Sequence, residues 1–63
     1  MINHEYYKNK FHDEYKNSSI SELEWAINQN LMTGGDGKGR LATVPLIKDE
    51  VLSKLLKYRR ENL

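Results

Sequence analysis

The stretch "GGDGKGR", residues 34–40, is where this chain most resembles a chemical site. A glycine backbone can approach a phosphate closely, and Lys38 and Arg40 would add positive charge beside it. The established nucleotide-binding patterns fail here, however. A Walker loop ending at Gly37-Lys38 needs glycine where Met32 stands, and Ser or Thr where Gly39 stands. No helix starts at once to aim its N-terminus at an anion. G-x-G-x-x-G fails because the loop follows a helical segment and its glycine spacing is wrong. Asp36 is the loop's single carboxylate, too few for a calcium-binding EF-hand. We read the stretch as a flexible connection in which Lys38 and Arg40 are contact residues for a partner.

The histidines offer less. His4 and His12 are eight residues apart, about 12 Å along a helix axis, too far to share a metal. H-E-x-x-H needs a second histidine at position 8, which is Lys8. There is no cysteine, and no serine lies beside a histidine in a nucleophile motif. The carboxylates have surface explanations: Glu50 stands four residues before Lys54, and Glu22 suits a helix cap. The expectation is no enzyme, no catalytic residue, no metal, no cofactor and no small-molecule substrate.

Charge is distributed unevenly. Residues 1–19 balance, residues 20–36 carry three acidic and no basic side chains, and residues 37–63 carry seven basic and three acidic ones. Such a split marks either two segments that lie together or a surface for an acidic partner or nucleic acid. For nucleic acid, the contacts would be Lys38, Arg40, Lys54, Lys57, Arg59 and Arg60. A helix-turn-helix joins its helices by a turn of three or four residues, whereas the glycine-rich gap is much longer. Asp49, Glu50 and Glu61 also interrupt the basic stripe that phosphate binding rewards. Nucleic-acid binding is therefore the alternative function, not the leading one.

These residues need elements to hold them. In the segment 3–17, His4, Tyr7, Phe11 and Tyr15 share one helical face. In "NSSISELEWAINQNLMTGG", Ser19 and Glu22 fit a capping box, and Ile20, Leu23, Ile27 and Leu31 form a stripe. Trp25 and Met32 lie off that stripe, which gives this helix two apolar faces. Gly34 is placed to end it in the left-handed conformation. Residues 40–44, "RLATV", read as extended, because Val44 precedes a proline. Pro45 then opens a third helix, with Lys57, Arg59 and Arg60 toward its C-terminal end. Ile47, Val51, Leu55 and Tyr58 make one stripe on it, and Leu52, Leu56 and Leu63 make another. A face that wide implies two neighbours.

The expected architecture is all-α: a single domain over 1–63, three short helices, and a glycine-rich connection at 33–43 between the second and third. A short hairpin at the loop, giving α+β, is the minority alternative. Sixty-three residues bury a limited share of their surface, and without cysteine no disulfide can compensate. Association with itself or with another protein is therefore expected. Tyrosine and tryptophan are numerous for so small a chain and are favoured binding anchors. The leading expectation is a small protein-binding regulator, inhibitor or accessory factor. Its contact surface is expected at Trp25, Met32, Leu52, Leu56, Tyr58 and Leu63. No apolar run spans a bilayer and no signal-peptide core is visible, so the expected setting is cytoplasmic, without a membrane partner. Compact products without catalytic motifs are the kind that phages and mobile elements direct at host machinery, an origin expected here by analogy alone.

Overall fold

A computed structural model describes residues 2–35 and 41–63. Three helices follow one another: α1 (His4–Tyr15), α2 (Ile20–Thr33) and α3 (Thr43–Glu61). The chain is all-α. Among the described residues, the hairpin alternative survives only as one antiparallel bridge between Gly35 and Leu41.

Each helix starts for a local reason, or conspicuously lacks one. Asn3 caps α1 by accepting the Tyr6 N–H at 3.0 Å. Ser19 and Glu22 close the capping box on α2: Ser19 Oγ accepts the Glu22 N–H at 3.2 Å, and Glu22 Oε1 accepts the Ser19 N–H at 2.9 Å. Hydrogen bonding from the Ser19 backbone, and then from its side chain, holds the Glu22 carboxyl below its ordinary value of 4.5. A depressed carboxylate stabilises the fold above its unfolded pKa and loses that contribution as pH falls through the lower, folded value. Stability should therefore decline below about pH 4.5 in part through Glu22, and Glu22→Gln should lack that component in acid titrations followed by circular dichroism. Ser19→Ala, which removes the cap at any pH, should cost about 1 kcal/mol in a urea titration.

α3 has no side-chain cap on Ala42. It nevertheless begins at Thr43, so Val44 is helical rather than extended, contrary to the sequence expectation. The reason lies at Pro45, the third helical position. Its missing N–H would have had no partner within the helix, so the proline costs no hydrogen bond there. Pro45 is also held from across the molecule: Asn30 Nδ2 donates to its carbonyl at 2.8 Å.

The core lies along α3. One cluster joins Leu23 and Ala26 of α2 to Leu52 and Leu56 of α3. A second joins Phe11 of α1 to Ile47 and Val51 of α3, with Tyr7 and Leu55 at its edge. α1 and α2 pack chiefly on α3 rather than on each other. The broad apolar face of α3 does have two neighbours, and both belong to the same chain.

Two adjacent arginines near the end of α3 reach opposite ways. Arg59 Nη2 donates to the Lys16 carbonyl at 2.7 Å, satisfying a free carbonyl where α1 ends. Arg60 Nη2 lies 3.3 Å from Glu24 Oε1 on α2. Lys48 lies 5.7 Å from the centroid of Phe11 and 5.3 Å from that of Tyr15, a cation over both rings.

Two expectations for α2 need correction. Gly34 ends the helix with φ −93° and ψ −1°, a right-handed conformation. Its requirement for glycine is steric instead: a Cβ there would stand 2.5 Å from Pro45 Cβ and 2.8 Å from the Asn30 carbonyl oxygen. Leu31, assigned to the inward stripe, is exposed, and Asn30 takes the buried place beside it. The inward face is Leu23, Ala26 and Asn30, rotated so that Asn30 meets its partner on α3.

Candidate functional site

Turning Leu23, Ala26 and Asn30 inward dictates what α2 presents outward. At 100° per residue, Trp25 and Met32 fall within about 20° of each other and face away from the core. Trp25 is 66% exposed and Met32 is 78% exposed. They are seven residues apart, about 10 Å along the axis. Between them the outward face carries the polar side chains of Asn28 and Gln29. α2 contains Glu22 and Glu24 and no basic side chain at all.

The other expected contact residues separate into two groups. Leu52 and Leu56 are buried in the α2–α3 cluster, so their place on an external surface is withdrawn. They are apolar because two helices close over them. Tyr58 and Leu63 are exposed, and together with Ile20 they line a shallow cleft of about 460 Å3 near the end of α3.

A larger cleft, of about 730 Å3, opens between α1 and α3. Val51, Leu55 and Tyr58 give it an apolar floor. Lys8, His12 and Lys16 line the α1 bank, while Lys54 and Arg59 rise from α3. Glu5 and Glu50 also line it, so four cations face two carboxylates. Lys8 and Lys16 were not named as contact residues by sequence reasoning, and His12 was weighed only as a metal ligand. Their spacing of four was a usable signal, because residues 8, 12 and 16 stack on one helical face.

The basic residues proposed for nucleic acid are largely engaged within the chain. Arg59 and Arg60 hold α1 and α2 as described, and Lys57 lies 4.0 Å from Glu61. Lys54 is exposed at the cleft, and the Glu50–Lys54 ion pair expected from spacing is not among the close pairs of the described residues. Lys38 and Arg40 lie outside the described residues. Among the described residues no three His, Asp or Glu side chains converge as metal ligands, and no helix is long and apolar enough to cross a membrane.

Comparison of the chain with known protein families, with characterised proteins and with solved structures finds no match.

Proposed function

We propose that this chain binds another protein through the outward face of α2, with Trp25 and Met32 as anchors, and acts as a small regulator, inhibitor or accessory factor. One observation carries the reading: the only tryptophan of the chain stands 66% exposed on the face opposite the core, in line with a still more exposed methionine. Single exposed apolar residues are ordinary on protein surfaces. Two of the largest, aligned on one short helix, are what a recessed partner surface recognises, and tryptophan leads among residues that dominate binding energy. Nucleic-acid binding is the weaker reading, because Arg59 and Arg60 already hold neighbouring helices.

Affinity capture from lysate with and without nuclease treatment, with the wild type and Trp25→Ala side by side, tests the proposal. An exposed side chain far from the core contributes little to folding, so melting should shift by no more than about 0.5 kcal/mol in stability. Partner binding should weaken by about 2 kcal/mol or more, roughly thirtyfold. Capture that depends on nucleic acid, falls steeply with salt and persists in folded Trp25→Ala overturns the reading.

A further inference from the structure

We infer that the α1–α3 cleft is the receptor for the α2 face of a second copy of this chain. The inference rests on the reading of α2 as a binding face and names what that face can bind. Two unpartnered surfaces coexist on one small molecule, and their chemistry is complementary. The strip on α2 is apolar at Trp25 and Met32, and its helix carries two carboxylates with no cation. The cleft has an apolar floor at Val51, Leu55 and Tyr58, and its rim carries two more positive than negative side chains.

The dimensions agree as well. Lys8 and Lys16, which bound the α1 bank, are eight residues apart, about 12 Å, against about 10 Å from Trp25 to Met32. A volume of about 730 Å3 lies within the range of sites that enclose bulky apolar groups. Arg59 is engaged with the Lys16 carbonyl, and Lys16 lies 3.6 Å from Asp13. Lys8 and Lys54, both exposed and outside the close ion pairs of the described residues, are the cations that carboxylates on an incoming helix would meet. Glu22 and Glu24 are exposed on α2, although each already has a partner in its own chain. Because the strip points away from α3, it cannot fill the cleft of its own molecule. Docking therefore occurs between copies.

When each copy fills the other's cleft, the pair closes as a two-fold, isologous dimer; a single face-to-cleft contact is heterologous and extends into rings or chains. The diagnostic is complementation between two variants. Trp25→Ser keeps its cleft and loses the anchor of its face. Lys8→Glu combined with Lys54→Glu keeps its α2 and reverses the rim. All three positions are exposed, so circular dichroism melting should match the wild type for both.

Sedimentation velocity from micromolar to millimolar concentration reads the result. The wild type should self-associate, more weakly as salt rises, and each variant alone should lose at least tenfold in association. An equimolar mixture should recover a complex, since the intact cleft of one receives the intact α2 of the other. A wild type that stays monomeric throughout, variants that associate normally, or a mixture that stays apart each overturns the assignment. A monomeric wild type whose captured partner is still lost in Trp25→Ala overturns self-docking alone and leaves the α2 reading standing. Capture indifferent to Trp25 overturns that reading as well.

Discussion

Leu52→Ala should cost the chain a large share of its stability. Leu52 is fully buried, and it packs with Leu23, Ala26 and Leu56 where α2 closes on α3. Truncating a leucine in a closed core costs about 2–5 kcal/mol, because apolar burial is lost and a cavity remains. Stability of roughly 0.05–0.15 kcal/mol per residue gives a chain of this length only about 3–9 kcal/mol in total. One substitution therefore removes about a fifth of the stability at the least, and all of it at the most. In domains this small each kcal/mol moves the melting temperature by about 4–8 °C, so a drop of at least about 8 °C is expected. Thermal melting followed at 222 nm checks it, with Leu63→Ala as the control. Leu63 is 94% exposed, and its truncation should change melting by a degree or two at most. A Leu52→Ala melt within a few degrees of wild type would mean that α2 does not close over this position.

Gly34→Ala has a sign that depends on which effect wins. The backbone at Gly34 is right-handed, a conformation alanine adopts freely. On that ground alone the substitution would stabilise by about 0.4–1 kcal/mol through the unfolded chain. The new methyl, however, would stand 2.5 Å from Pro45 Cβ, 2.9 Å from Pro45 Cγ and 2.8 Å from the Asn30 carbonyl oxygen. None of these is the far end of a flexible side chain: a pyrrolidine ring and a backbone oxygen must both move. Overpacking of this kind costs about 1–3 kcal/mol. It also pries apart the junction that the Asn30–Pro45 hydrogen bond closes. We expect net destabilisation of about 1–2 kcal/mol, read as a lower urea midpoint with an unchanged slope. A stabilised Gly34→Ala would show that the end of α2 and the start of α3 are not in contact.

These two positions also show how far the sequence could be read. The capping box was legible because it is wholly local: Ser19 and Glu22 sit three residues apart and satisfy each other. Helical periodicity located all three helices for a similar reason, since a face is a property of one element. Which face turns inward is a different question. α2 carried two apolar faces, and periodicity alone favoured Leu31 for the interior. The interior went to Asn30, whose partner is a carbonyl fifteen residues later, on another helix. The close approach of Pro45 to the end of α2 likewise makes Gly34 a steric requirement rather than a conformational one. The charge split was read as two segments lying together or as a surface for nucleic acid, and the Arg60–Glu24 pair is of the first kind; nothing in "KYRREN" discloses the Lys16 carbonyl as the partner of Arg59. The wide face of α3 was correctly read as having two neighbours, but Leu52 and Leu56 were assigned outward because α1 and α2 had not yet been counted as both. Trp25, off the main stripe by its angle alone, was legible as the exposed anchor candidate.

Because Trp25 is the chain's single tryptophan, its fluorescence reports on the outward face of α2. The measurement that tests the account most directly is acrylamide quenching of that emission, first in dilute protein and then with increasing protein or captured partner. In dilute protein the indole should emit as a solvated ring and quench freely, changing little on unfolding in urea. On association the emission should shift to the blue and quenching should fall severalfold. An indole already shielded in dilute, folded monomer, or one that stays fully quenchable in the complex, would contradict the assignment of α2 as the binding face.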